Sequence, residues 1–472
     1  MLGVATSKPF MSRIKQSFSH LGQQMEQAVK RGLDRHVRLG VTGISGAGKT
    51  AFITSLVNQI LNGESQFLPA WQVLEQGRFL GAKLAPQPDL TLQPFDYSGA
   101  VGKLKQGHWP PSTHSISEIR LLLRYQPSKG LAGQFGQPIT LTLDIIDYPG
   151  EWLLDLPLLG QEYAQWCAEV WPELNRGAWQ EHSRSWCQKV RALEGNEDNS
   201  VINELASEYA ELLKTLKQQY GASLLQPGRA LLPGELAGAP ALAWFPLPPS
   251  LLERLSEESP LRQTLSQRFS AYCDEVVEPF FRHYFAKLDR QVVLVDCLSA
   301  LNHGRDQTEQ LALTLSRLSH SFHYGPGSML TRLFRPRIDK VLFAASKADH
   351  ITADQQPALL QLMHSLLKES RRQPKYFGTE IETLVLSAIN ATEQAKVSSA
   401  QNQSVIKGRD LDGQWRVRYP GEVPRRLPDA DFWQQQGFDF SGFMPPLWQG
   451  DEPLPQMRMD YAMQFLLGDK MR

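Results

Sequence analysis

The run Gly43-Ile44-Ser45-Gly46-Ala47-Gly48-Lys49-Thr50 fits G-x-x-x-x-G-K-[ST], a loop whose chemistry is grip on phosphate. Its glycines let the backbone wrap an anion so that successive N–H groups point inward. In such a loop Ser45, Gly46, Ala47, Gly48, Lys49, Thr50 and Ala51 line the phosphates. The Lys49 ammonium reaches between the β- and γ-phosphates, and the Thr50 hydroxyl is a ligand for Mg2+. A helix N-terminus directly after the loop adds a partial positive charge.

Three downstream pieces bear on which nucleotide such a loop would hold. Asp147-Tyr148-Pro149-Gly150 closes an apolar run. There the Asp147 carboxylate can hold Mg2+, and the Gly150 N–H can reach a γ-phosphate. Ser346-Lys347-Ala348-Asp349 follows another apolar run. Asp349 can accept from the N1–H and the exocyclic amine of guanine, a donor pair that adenine lacks, and the Lys347 stem can lie over the base. Ser387-Ala388-Ile389 follows a third run, where backbone N–H groups can meet guanine O6. The order of these motifs resembles that of the Ras-like GTPases, and the resemblance implies a threonine ahead of the first hairpin strand that reaches Mg2+ and the γ-phosphate. Thr113 is the best placed, with Ser112, Ser115 and Ser117 as competitors. Glu151 stands where many Ras-like GTPases place a water-orienting glutamine; its charge beside a polyanion is unfavourable unless offset. Asp296, Asn302 and His303 sit at or beyond a strand's carboxyl end, where ligands bind in open α/β sheets.

The elements that must position these groups alternate in period. Val37–Thr42 reads as a strand, and Ala51–Leu61 as a helix with Phe52, Leu56 and Ile60 on one face. Residues 62–112 lack periodicity and read as an irregular segment with short helices. Ile119–Tyr125 and Ile139–Asp147 read as a loose antiparallel hairpin. Residues 151–289 look mostly helical, most clearly over Val201–Tyr220 and Leu261–Phe285. Gln291–Asp296, Lys340–Ala345 and Thr383–Leu386 are short apolar runs of the kind covered by helices on both faces. Ser404–Lys407 and Gln414–Tyr419 can pair across Asp412-Gly413, and the last segment reads as a short helix. The fold class expected is α/β, with a mixed sheet, a large helical insert and a small C-terminal extension. The boundaries expected are 1–36 for an N-terminal amphipathic helix, 37–150 and 290–395 for the two parts of the core, 151–289 for the insert and 396–472 for the extension.

Composition narrows the class. The 472 residues are 42% hydrophobic and 21% charged, which fits a globular protein. Lys+Arg and Asp+Glu are 49 each, so no basic excess points to nucleic acid, and no nucleic-acid partner is expected. Cys167, Cys187, Cys273 and Cys297 form no C-x-x-C pair and suit a reducing compartment. Ala230–Leu252 is low in charge but punctuated by Pro233, Pro240, Pro246, Pro248 and Pro249, which excludes a membrane span there. Its apolar residues are expected to pack against the insert. Residues 12–34 carry Ile14, Phe18, Leu21, Met25, Val29 and Leu33 at helical spacing. That stripe suits a helix packed on its own domain, or one lying on a membrane or partner. The chain reads as cytoplasmic.

The order of the phosphate loop, D-x-x-G, S-K-A-D and S-A-I, with a hairpin before D-x-x-G, resembles the Ras-like GTPases of the TRAFAC class. Closer still is the resemblance to the YcjX-like family of bacterial stress-associated P-loop proteins. It is carried by GISGAGKT, the W-P…T segment at 109–113, SEIRLLLRY, DYPGEW at 147–152, LVDCLSALNHG at 294–304 and SKADH at 346–350. The resemblance implies a Ras-like core that binds GTP or GDP with Mg2+. It also implies a role in envelope or phage-shock stress, beside a membrane-associated protein partner at the inner membrane. Slow hydrolysis is expected because Glu151 is charged and no arginine finger can be chosen from the sequence, and the insert that follows Gly150 is expected to be the output domain of a nucleotide switch, with a static cover as the alternative. In that reading Lys49, Thr113 and Glu151 serve the chemistry, and Thr50, Thr113 and Asp147 hold the metal. The rivals are an ATPase or nucleotide kinase, and a scaffold that binds nucleotide without turnover. The residues do not determine the oligomeric state.

Overall fold

The apolar runs at 290–295 and 340–345 send alternate side chains into two separate cores. Val293 and Val295, with Val341, Phe343 and Ala345, enter one; Val292 and Leu294, with Leu342 and Ala344, enter the other. A strand built this way must be covered on both faces. The computed structural model of the chain describes residues 35–43, 46–112, 115–128, 137–177, 179–220, 222, 225–321, 338–368, 379–397 and 403–472. The amphipathic stretch 12–34 lies outside them.

Among the described residues the main sheet has eight strands: β1 (Arg35–Gly43), β2 (Phe79–Ala85), β3 (Gln93–Pro94), β4 (Ser117–Tyr125), β5 (Ile139–Asp147), β6 (Arg290–Val295), β7 (Lys340–Ala345) and β8 (Glu380–Val385). Their order is β2-β4-β5-β1-β6-β7-β8, with β3 paired to β4. Strands β5, β1, β6, β7 and β8 run parallel. β4 and β5 form the expected antiparallel hairpin, in register from Ser117 opposite Asp147 to Tyr125 opposite Ile139. This is an α/β fold of the Ras-like type, with a mixed sheet and helices on both faces. Helix α1 (Lys49–Asn62) and the terminal helix cover one face; the helices Arg305–Ser321 and Gln356–Leu366 cover the other.

Part of 62–112 departs from the expected irregular segment. Short helices occur there, but Phe79–Ala85 is a strand on the sheet edge, antiparallel to β4. Its pattern is blurred for physical reasons. Gly81 has φ +129 at a register shift next to Phe79, and no residue of this strand is buried, so no apolar face marks it. A second departure lies in the helix expected over 261–285. The α-helix Pro260–Tyr272 passes into a π turn at Cys273–Val277 before resuming at Glu278–His283. Pro279 has no N–H to continue the ladder, which favours the wider turn just ahead of it.

Between β5 and β6 the chain is helical. The longest helices there are Tyr163–Leu174, Trp179–Arg191, Asn199–Tyr220 and Pro260–Tyr272. Aromatic rings fill their core: Trp166 meets Trp244 edge-on at 4.6 Å, Trp186 stacks on Tyr209 at 4.9 Å, and Trp244 meets Phe269 at 5.1 Å. Trp244, Phe245 and Leu247 of the proline-punctuated stretch are buried in it, while its 233–243 portion is half-buried or exposed. The core is continuous with the β6–β8 face of the sheet. Beyond β8, β9 (Thr392–Val397), β10 (Gln403–Arg409) and β11 (Trp415–Arg418) form a separate antiparallel sheet. The β10–β11 pairing is the hairpin expected across Asp412-Gly413. The terminal helix Met459–Leu467 packs Met459, Ala462, Met463 and Leu466 under the sheet. Among the described residues no helix is long and apolar enough to cross a membrane.

Candidate nucleotide site

A cleft of about 550 Å³ opens at the carboxyl ends of the parallel strands, a size suited to a small ligand. It is lined from three directions. Gly43, Gly46, Ala47, Gly48, Lys49, Thr50 and Ala51 form its floor; Ser346, Lys347, Asp349, Ser387, Ala388 and Ile389 form one end; Glu151 and Trp109 stand on its walls. Residues separated by three hundred positions in the chain thus converge on one space. Ser45 and Thr113 lie outside the described residues, although Ser112 lines the cleft.

The loop geometry follows from its residue types. Gly46 and Gly48 have φ +75 and +82, a region that costs side-chain-bearing residues strain. Gly48 caps α1 with no side-chain acceptor for the first N–H groups. Those donors and the helix dipole together make an anion site. Gly150 is pressed against this loop: a Cβ there would lie 2.4 Å from the Gly43 carbonyl oxygen. Only glycine lets the D-x-x-G turn touch the phosphate loop this closely.

Lys49 Nζ donates to the Tyr148 carbonyl at 3.1 Å and lies 3.4 Å from Asp147 Oδ1. Asp147 is 1% exposed, and neither carboxylate oxygen has a hydrogen-bond partner among the described residues. A buried carboxylate with only an ammonium nearby is poorly satisfied. The Thr42 hydroxyl, on the strand beside it, is likewise buried without a partner. Oxygen donors of this kind suit a hard cation such as Mg2+. Thr50 Oγ1 donates to the Pro111 carbonyl at 3.2 Å, which brings the Trp109–Ser112 segment over the loop.

At the opposite end Asp349 is 2% exposed. One carboxylate oxygen accepts the Ala391 N–H at 2.7 Å, which fixes the side chain's orientation. Lys347 has φ +59, and its ammonium bonds Asp296 Oδ2. Asp296 also caps the short helix Cys297–Asn302 through the Ser299 N–H at 2.9 Å. Asp296 therefore supports the site from behind. Asn302 and His303 do not: Asn302 exchanges hydrogen bonds with the Phe440 backbone, and the His303 ring meets the Ser299 carbonyl. The Ser387 N–H is committed to the Met457 carbonyl at 3.1 Å. Any base contact from this turn falls to Ala388 and Ile389.

Sequence reasoning missed part of the lining. Lys217 and Leu232 come from the helical region, and Leu411, Gly442 and Phe443 from beyond residue 400. Lys217 bonds the Glu151 carboxylate, which supplies the charge offset that Glu151 requires. Trp109 Nε1 donates to the Phe443 carbonyl at 2.8 Å, and His350 meets Phe443 edge-on at 5.0 Å. No local motif marks these residues; one lysine among 49 basic residues has no signature.

Behind the cleft, the turn Gly150–Leu158 is bound tightly to the helical region. Gly228 abuts the Glu151 carbonyl, where a Cβ would lie 2.2 Å from that oxygen. The Gly228 N–H donates to both Asp155 oxygens at 2.9 Å, and the Tyr272 hydroxyl donates to Asp155 at 2.5 Å. Burial pushes the Asp155 carboxyl up to about 7, against the downward pull of Tyr272, Gly228 and Arg229. The Arg229 guanidinium lies 3.2 Å over the Trp152 ring.

Comparison with known proteins agrees with this arrangement. The chain matches the YcjX-like family, DUF463, over residues 37–471. It is 44% identical to a protein of Shewanella oneidensis named Ras-like GTPase YcjX, over 98% of this chain and 100% of that one. It is 40% identical to the protein of the same name from Escherichia coli K12, over 96% and 99%. A match from the first sheet strand through the terminal helix, with the phosphate loop and the distant Asp349 on one cleft, establishes that the chain belongs to the YcjX-like family.

Proposed function

We propose that the protein binds GTP and GDP in this cleft and hydrolyses GTP to GDP and phosphate. The observation that carries the reading is the distance in sequence, and closeness in space, of two recognition ends. A phosphate-gripping loop at Gly43–Thr50 and a fixed carboxylate at Asp349 line one space. The relatives' name agrees with it.

In this reading the N–H groups of Gly46–Ala51 cradle the β-phosphate, and Lys49 turns from Tyr148 to the β,γ-oxygens. Asp147 and Thr50, with Thr113, would hold Mg2+, which would neutralise charge on the β,γ-oxygens. Gly150 gives its N–H to the γ-phosphate. Asp349 accepts from guanine N1–H and the exocyclic amine, while Lys347, drawn back by Asp296, lies beside the base. Glu151 orients the attacking water. Hydrolysis is expected to be slow without a partner, because positioning and charge stabilisation dominate this reaction. A single-turnover rate above several per second for the protein alone would contradict that expectation.

Loss of the γ-phosphate would be felt at Gly150 and passed to the helical region that follows it, which makes the protein a nucleotide switch. The wider setting in this reading is cytoplasmic, in an envelope or phage-shock type of stress response beside a membrane-associated protein partner. That setting rests on the family resemblance alone.

Calorimetric titration with GTP, GDP and ATP, with and without Mg2+, tests the reading. Guanine nucleotides should bind tightly and ATP weakly. Asp349→Asn should shift preference to xanthine nucleotides, whose base presents the complementary pattern. Equal affinity for GTP and ATP, unchanged by Asp349→Asn, would overturn the assignment.

A further inference from the structure

The helical region reaches the phosphate end of the cleft with one charged side chain. Lys217 lies in the last turn of the helix Asn199–Tyr220 and lines the same space as Gly43, Lys49 and Glu151. Its side chain is 21% exposed and that of Glu151 13%, and the two are bonded. The other lysines lining the cleft are Lys49, on the loop itself, and Lys347, held by Asp296 at the purine end. Among the described residues that line the cleft, Lys217 is thus the lysine supplied by the helical region. Lys217 is bonded to Glu151, one residue from Gly150, where an added Cβ would lie 2.4 Å from the Gly43 carbonyl oxygen of the loop; that chain of contacts ties the ammonium to the phosphate end of the cleft. A terminal phosphate brings more negative charge than one carboxylate, and in a partly buried cleft that difference is weakly screened.

We propose that Lys217 is a cation supplied in cis to the γ-phosphate, and that Glu151 stores it until GTP arrives. The inference rests on the GTPase reading above and adds the group that was missing from it. When GTP binds, the ammonium passes from Glu151 to the γ-phosphate oxygens, and the freed carboxylate faces the attacking water. The water oxygen bonds to the γ-phosphorus, and the bond from phosphorus to the β,γ-bridging oxygen breaks. That electron pair stays on the β-phosphate of GDP, and the water proton passes to Glu151 and then to solvent. The same exchange loosens the link between Glu151 and the helix Asn199–Tyr220, so one event serves both catalysis and signalling. A plain structural ion pair would instead affect stability without regard to the third phosphate.

The test uses the full chain and three variants, Lys217→Gln, Lys217→Arg and Glu151→Gln. For each, affinity for GDP, for a non-hydrolysable GTP analogue and for GDP with aluminium fluoride is measured beside single-turnover hydrolysis. Lys217→Gln should keep GDP affinity within about threefold, yet lose about 10- to 100-fold in hydrolysis and in aluminium fluoride binding, a smaller loss than that of an arginine finger. Lys217→Arg should restore most of both. Glu151→Gln keeps the cation and removes its store, so the ratio of analogue to GDP affinity should rise about tenfold; this holds the proposal to account even if Lys217→Gln fails to fold. Hydrolysis unchanged in Lys217→Gln, equal losses for GDP and the analogue, or an unchanged ratio in Glu151→Gln would overturn it while leaving the GTPase reading intact. A wild-type protein that binds no guanine nucleotide would overturn both.

Discussion

The sheet and the helical region hold their shape by different means. The sheet is fixed by register: β5, β1, β6, β7 and β8 run parallel with their carboxyl ends at one edge, and β4 pairs with β5 in an antiparallel hairpin. The helical region is fixed by side chains, namely an aromatic core and a buried carboxyl, Asp155, that accepts from Gly228 and Tyr272. Backbone register is rigid and insensitive to solution conditions. A buried titratable latch is not. The two regions meet in the turn Gly150–Leu158, whose first residue packs on Gly43 and whose Asp155 is held by Gly228 and Tyr272.

The sharpest way to break this comparison is at their junction. Gly150→Ala places a methyl group 2.4 Å from the Gly43 carbonyl oxygen, a backbone atom that cannot swing aside, and 3.2 Å from the Thr42 hydroxyl. Binding of a GTP analogue and hydrolysis should both fall at least about 100-fold, as measured by titration and single turnover, since small displacements at a reacting centre cost about that much. Asp147→Asn acts on the sheet side alone. It should abolish most of the Mg2+ dependence of nucleotide affinity, a loss of about tenfold or more seen by titration with and without the metal. Because it also removes the carboxylate 3.4 Å from the partly buried Lys49 ammonium, the variant without nucleotide should have a lower urea midpoint than wild type.

Asp155 tests the helical side. A carboxyl that ionises near 7 in the fold and near 4 when unfolded binds its proton more tightly in the native state. Its contribution is therefore full below about pH 4 and is lost as pH rises through 7, with a slope of up to about 1.4 kcal/mol per pH unit. Urea midpoints between pH 5 and 8 should fall accordingly, and Asp155→Asn should flatten that dependence. The smallest effect belongs to the small sheet. Trp415 is 51% exposed on β11, so Trp415→Ser should change stability by less than about 0.5 kcal/mol and leave nucleotide affinity unaltered. A larger change in affinity would mean that this sheet takes part in the site beyond its hairpin tip.

Legibility followed the same division. Wherever the site is made by local backbone, the sequence reveals it: the loop at 43–50, the turn at 147–150 and the acidic end at 346–349 are contiguous motifs that follow apolar runs. The runs themselves align within a few residues with β1, β4, β5, β6, β7 and β8. The edge strand Phe79–Ala85 was hidden because neither of its faces is buried and a glycine interrupts its alternation. β9 (TEQAKV) was hidden because five of its six residues are partly or fully exposed. Lys217, Leu411 and Phe443 were illegible for another reason. They reach the cleft by tertiary packing, and no spacing along the chain encodes which exposed lysine or hairpin tip will fold over it.

The walls of the purine end carry one more implication. The phosphate loop belongs to the first strand and helix of the described chain, whereas Leu411, Gly442 and Phe443 come from its last segments, and Met457 braces the Ser387 turn. The cleft as described is therefore complete only once residue 443 has been added to the chain. A chain cut before residue 440 would keep Lys347, Asp349, Ala388 and Ile389 but lack Gly442, Phe443 and the helix Met459–Leu467 that covers one face of the sheet, so its loss of nucleotide affinity would measure what those late contacts contribute.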